Sequence, residues 1–263
     1  MTKTNLNWAG FSKKTFEERL QLIDHFKLLS PKHLKQLKAD KLLPIETANH
    51  LTENVLGRFA LPFSIAPDFL INEVTYQVPF VTEEPSVVAA ASFAAKLIKR
   101  SGGFKAEVLN RQMIGQVALY GIHDMDMAKA AILAKSEDLI AMANEAYPSI
   151  VKRGGGAREI RLEEKGTFLI FYLTVDTQEA MGANMVNTMM EALVPDLEAL
   201  SKGHSLMAIL SNYATESLVT ASCQVDIRFL SRDKAEAQQL AKKMALASQL
   251  AQVDPCLLYT SPS

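Results

Sequence analysis

The sequence predicts an α+β protein, with a mainly helical larger domain and a β-α-β-β-α-β domain inserted into it. Three observations carry that prediction. Between about 109 and 212, period-two and helical hydrophobic patterns alternate in that order. The flanking stretches, 1–108 and 213–255, are dominated by helical periodicity and belong together around the insert. Finally, 48% hydrophobic residues in a 263-residue chain supply a real core for one large or two smaller domains.

Taken in order, residues 13–28 alternate polar and apolar at helical spacing. Ser30-Pro31 reads as an N-cap followed by Pro at the first helical position, opening a short helix through Leu37. A third helix is predicted over 45–56, with Gly57 as its C-terminal cap. Residues 74–81 (VTYQVPFV) read as a strand, and Pro79 places it at an edge or strand end. Pro85 opens a helix over 86–100, ended by Ser101-Gly102-Gly103. Its alanines at 89–91, 94 and 95 permit close packing and predict a buried central helix.

Inside the insert, 112–122 reads as a strand and 126–147 as one long helix. Strands over 158–163 and 167–175 meet at a Lys165-Gly166 turn. A helix over 180–200 and a strand over 206–211 complete a split-βαβ, or ferredoxin-like, order. Residues 215–230 are strand-rich again, and 233–252 form an amphipathic helix with Asp233 near its start. The last segment, 256–263 (CLLYTSPS), supplies neither a cap nor a packing element; it reads as a foreign or unstructured tail, or as a native one.

Composition removes several function classes. The 28 basic and 29 acidic residues give a net charge of -1, which argues against a general polyanion binder. No window reaches ~18 uninterrupted apolar residues and no signal-peptide stretch opens the chain, so neither membrane nor export is expected. Two cysteines, Cys223 and Cys256, form no ligand spacing, and no His pair has metal-ligand spacing either. A soluble cytoplasmic protein is the expectation.

Four segments stand out chemically. In Thr82-Glu83-Glu84-Pro85-Ser86 a strand turns into a helix; adjacent carboxylates there are either N-terminal decoration or a buried acid positioned for proton transfer. The second reading expects Glu84 to be partly buried. Residues 53–57 (ENVLG) read as a helix end with an Asn and a capping Gly. Residues 176–187 (DTQEAMGANMVN) end a strand and begin a helix whose amides suit an anionic pyrophosphate; the alternative is a Gly/Ala turn with core methionines. It is no GxGxxG fingerprint. Gly154-Gly155-Gly156, followed by Arg158, is either a flexible connection or a required close approach.

Together these segments resemble class II hydroxymethylglutaryl-CoA reductase. ENVLG stands at the family's spacing before TEEPS, and EAMGAN is similar to its DxMGAN-type cofactor loop, with Glu179 in place of the more usual Asp. The resemblance implies reduction of hydroxymethylglutaryl-CoA to mevalonate and CoA with two NAD(P)H, in a homodimer with its active site at the subunit interface. It assigns Glu84 as the catalytic acid. Ser86, Glu53 and Asn54 fall to substrate, and Tyr147, Glu179, Met181, Gly182, Asn184 and Asn212 to cofactor.

NADH-selective members carry an acidic residue where Tyr147 stands, and Lys152 and Arg153 follow; NADPH is therefore preferred, with NADH left open. Those two cations are otherwise a solvated helix end. The likeness runs from about residue 8 to Pro255. The family's lysine, aspartate, histidine and a substrate-binding arginine all lie beyond that point. The 263-residue chain is thus expected to be inactive alone. Two alternatives remain: a regulatory pseudoenzyme that pairs with a complete reductase, and a ferredoxin-like RNA-binding module. No RNP-like pattern or basic cluster supports the second.

Overall fold

The computed structural model describes residues 6–254 and shows a mixed α/β protein with a mixed sheet. Pro255 and the expected tail over 256–263 lie outside the described residues. The chain divides into two units, one of Met1–Ala106 with Ala221–Ser263 and the other of Glu107–Thr220.

In the first unit, helix α1 (Phe16–His25) begins at a capping box. The Thr15 hydroxyl accepts from Glu18 N, and the Glu18 carboxylate accepts from Thr15 N. Helix α2 (Pro31–Lys38) is capped by Ser30 and carries Pro at its start, as its sequence requires. The two helices close over Trp8, Leu20, Ile23, Phe26 and Leu34.

Helix α3 spans only Ile45–Leu51, not 45–56. Thr52 turns extended and Asn54 takes a φ of 56°, so the chain leaves the helix before Gly57 could cap it.

Strands β1 (Phe63–Ile71) and β2 (Val74–Val81) form a hairpin. Asn72 and Glu73 both have positive φ, as the favoured two-residue hairpin turn demands. The sequence pattern did not announce β1, because Pro67 interrupts it. The structure absorbs that proline in an irregularity between Ala66 and Phe69, where Asp68 pairs with Lys99 at 2.6 Å. Helix α4 (Val87–Arg100) packs on β1 and returns the chain to Phe104, parallel to β1 at Ile71. The expectation of a buried central helix fails: Ala95 is buried, but Ala89, Ala90, Phe93 and Ala94 are exposed. Nothing among the described residues covers that face.

The second unit is built on β3 (Phe104–Tyr120), which enters it from the first. Then come α5 (Met125–Ala134), α6 (Ser136–Ala146), the short α7 (Pro148–Val151), β4 (Gly156–Lys165), β5 (Phe168–Asp176), α8 (Ala183–Ser201) and β6 (His204–Leu210). The single helix expected over 126–147 breaks at Lys135, whose φ of -108° and ψ of 14° leave the helical range.

Within the second unit the strands β6-β3-β5-β4 lie in that order in the seven-stranded sheet of the described residues, each of these pairs antiparallel. Apolar residues on alternate strand positions (Val117, Leu119, Phe171, Leu173) meet Ile132, Leu139, Met189 and Leu193 from the helices in one continuous core. At Gly115 a side chain would stand 2.5 Å from the Met190 sulfur, so α8 lies close against β3. Strand β7 (Ser217–Cys223) follows, and α9 (Lys234–Val253) opens with Asp233 accepting from Glu236 N at 2.8 Å.

Candidate functional site

Antiparallel pairing decides what meets at one end of the second unit. Strands β5 and β6 flank β3 and both oppose it in direction, so their C-terminal ends emerge together. Asp176 stands opposite Gln112, and Leu210 opposite Gly115. Strand β4 begins at the same end, with Gly156 opposite Asp176. The loop before α8, the glycine segment before β4 and the residues after β6 therefore share one edge. Asn187, one turn into α8, accepts from Leu210 N at 2.8 Å and ties helix to strand there.

The loop itself is tightly made. Thr177 is buried and its hydroxyl donates to Ala180 O at 2.7 Å. Gly182 has a φ of 81°, and a Cβ there would stand 2.4 Å from Thr177 Cγ2. Only glycine fits this turn, and Met185, Met189 and Met190 behind it are buried in the core, as the turn-with-core-methionines alternative expects. Among the described residues no side chain caps α8, so its first-turn amides are available to an anion. Met181, Asn184 and Glu179 are exposed around this end, as is Asn212 just past β6.

Two of the three glycines at 154–156 are also forced. A Cβ on Gly155 would lie 2.4 Å from Asp176 O, and Gly156, at a φ of 111°, would meet Asn144 Oδ1 at 2.4 Å. That oxygen accepts from Ala157 N at 2.8 Å. Gly154 has open space around it. Tyr147, between α6 and α7, is half-buried against the core cluster.

Sequence reading missed the residue that gathers these segments. Asp176 accepts from Gln178 N at 2.9 Å and from Gln178 Nε2 at 3.0 Å. Arg111 and Arg158 each reach it at 3.6 Å. No local motif marks an arginine on one strand and a carboxylate at the end of another; only the strand register brings them together.

In the first unit, Glu83, Glu84 and Ser86 line a depression of about 1060 Å³, together with Trp8, Arg19 and Tyr76. Glu84 is exposed, and its N–H donates to the Thr82 hydroxyl at 3.1 Å. The expected partial burial is thus not found, because no described element covers the 82–86 segment. Ser86 holds a φ of 70° just before α4, a left-handed conformation that a non-glycine residue adopts at a cost. Trp8 Nε1 is buried with no hydrogen-bond partner among the described residues. Glu53 and Asn54 are exposed beyond α3 and do not line this depression.

A family model described as hydroxymethylglutaryl-coenzyme A reductase matches residues 15–260. The chain belongs to the hydroxymethylglutaryl-coenzyme A reductase family.

Among curated members of the reductase family, the chain is 37% identical over 250 residues to 3-hydroxy-3-methylglutaryl-coenzyme A reductase of Archaeoglobus fulgidus, covering 94% of this chain and 56% of the relative. It is 28% identical to a probable reductase of Borreliella burgdorferi, covering 92% and 54%. The chain therefore spans just over half the length of these curated relatives. A solved class II reductase from Streptococcus pneumoniae, bound to NADPH in open conformations, is 56% identical with a TM-score of 0.92, covering 95% of this chain and 69% of that one. Among the described residues no helix is long and apolar enough to cross a membrane.

Proposed function

We propose that this chain carries the N-terminal half of the machinery that reduces hydroxymethylglutaryl-CoA to mevalonate, with NADPH as the electron donor and CoA released. The reaction takes two hydrides and two protons: the thioester becomes an aldehyde as CoA thiol leaves, and the aldehyde becomes an alcohol. The second unit is the ferredoxin-like cofactor domain in this reading, and the first binds substrate. The observation that carries it is the uncapped N-terminus of α8 behind the forced Gly182, at the same sheet edge as Asn212.

Bound nicotinamide supplies the hydride. The α8 amides and Gly182 receive the pyrophosphate, with Met181, Asn184, Asn212 and Glu179 around it. Tyr147 offers no carboxylate to repel a 2′-phosphate, which favours NADPH over NADH. Glu84 exchanges the proton at the carbonyl oxygen and Ser86 holds the hydroxymethylglutaryl part; Glu53 and Asn54 lie outside this depression and in this reading reach the substrate across the subunit interface. In the depression around Glu84 the cation among the described lining residues is Arg19, and no lysine lines it. The family uses a lysine to stabilise the oxyanion, so the 263-residue chain by itself is proposed to be inactive. A cytoplasmic homodimer whose active site lies between subunits completes the reading.

The test extends this chain with the C-terminal remainder of the Streptococcus pneumoniae relative. Two NADPH oxidised per CoA released, with hydroxymethylglutaryl-CoA but not acetyl-CoA, is the expected result. A folded extended protein that oxidises no NADPH with hydroxymethylglutaryl-CoA would sink it.

A further inference from the structure

We propose that Arg111, on β3, is a positioning residue for the cofactor: it holds the 176–179 segment in place and balances its charge so that an anionic dinucleotide can dock. The proposal rests on the reading of the α8 N-terminus as the cofactor site.

Three contacts define what Arg111 does. Its Nη2 donates to Gln178 Oε1 at 3.1 Å. Its Nε lies 3.6 Å from Asp176 Oδ1, and its Nη1 lies 3.6 Å from Glu179 Oε1. One guanidinium thus touches three of the four residues that lead from the end of β5 into the turn before Gly182. The planar fork of arginine, with several donors in fixed directions, is the side chain suited to this.

Asp176 is the anchor of the arrangement. Its side chain is only 17% exposed, and Arg158 approaches it from β4 at 3.6 Å. Arg158 also donates to Gly154 O at 2.6 Å. The chain of contacts Arg111–Asp176–Arg158–Gly154 therefore joins the helix-entry loop to the glycine segment, two stretches that must keep their relative place for one ligand to touch both.

Charge adds a second effect. Asp176 and Glu179 put two negative charges beside the α8 N-terminus, where a pyrophosphate would bring more. Arg111 and Arg158 cancel them. Without Arg111 the local balance is one negative charge, which opposes an anionic ligand through a field that salt screens.

The experiment is a fluorescence titration of NADPH and of NADH into the 263-residue chain, the wild type beside Arg111→Met and Arg111→Lys. Arg111→Met is expected to weaken NADPH binding about three- to tenfold, the scale of one lost charged contact that is half-exposed. The loss should shrink as salt is raised. Arg111→Lys keeps the charge but not the fork and should fall between wild type and Arg111→Met. NADH should lose affinity too, because Arg111 acts through the loop and not on the 2′-phosphate, with the more anionic NADPH losing at least as much and the difference closing at high salt.

Unchanged affinity in Arg111→Met would overturn the proposal, as would a loss confined to NADPH. Should Arg111→Met not fold, Arg111→Lys at low and high salt decides: wild-type affinity for both nucleotides at each salt removes the fork from the account. If the wild type itself binds neither nucleotide, the cofactor-site reading fails instead, which is a different result.

Discussion

Glu84→Gln is expected to lower hydroxymethylglutaryl-CoA turnover by about 10²–10⁴-fold, the range associated with a positioned proton-transfer group, in the chain extended to a complete class II reductase. The amide keeps the size and shape of the carboxylate but neither gives nor takes the proton at the reacting oxygen. Glu84 lines the depression beside the left-handed Ser86, so a substrate carbonyl held there would be within its reach. The KM for NADPH should not move, since the residues proposed to hold the cofactor belong to the other unit. Glu83 is the natural control: it lines the same depression one residue away, and Glu83→Gln should leave turnover within a few-fold of wild type. A fully active Glu84→Gln enzyme would remove Glu84 from the mechanism, and an inactive Glu83→Gln would move the role to its neighbour.

Gly182→Val should weaken NADPH binding by an order of magnitude or more. A β-branched side chain at a φ of 81° costs roughly 1–2 kcal/mol in the left-handed region alone. Its Cβ would also stand 2.4 Å from Thr177 Cγ2. Thr177 is buried and hydrogen-bonded to Ala180 O, so it has little room to yield. The loop must shift, and the α8 amides move with it. Gly154→Ala is the matched control. Gly154 has a φ of 87° but nothing within 4 Å of its Cβ position, so a modest stability loss with little change in affinity is expected. Fluorescence titration of both variants separates backbone strain from steric displacement of the site. Wild-type affinity in Gly182→Val would show that this turn does not form the site.

Much of this was legible in the chain because the signals are local. Ser30-Pro31 and Asp233 mark helix starts by their own chemistry, and both cap as read. The two strands of alternating pattern meet at a Gly166-Thr167 turn, one residue past the expected Lys165-Gly166, because Lys165 still pairs with Phe168. What escaped is non-local or overridden. Strand β1 is interrupted by Pro67 and takes shape only against β2 and α4. The 45–56 periodicity continues past Leu51, but the backbone turns away at Thr52, a tertiary choice that helical periodicity does not encode.

The candidate site divides in the same way. Glycines at 155, 156 and 182 could be suspected from the sequence, but whether they are required depends on what stands where a Cβ would go. Arg111 and Asp176 are far apart in sequence and meet only because β3 and β5 pair in one register. The exposure of Glu84 is likewise set by which elements lie over the 82–86 segment, not by the segment's own residues.

Amide hydrogen exchange of the 263-residue chain with and without NADPH tests the cofactor site most directly. Slowed exchange on adding NADPH is expected in the amides of 153–158, 177–187 and 211–213, which the strand register places at one edge of the second unit. Protection confined to the depression around 82–92, or no NADPH-dependent change anywhere, would contradict the placement of the cofactor at the start of α8.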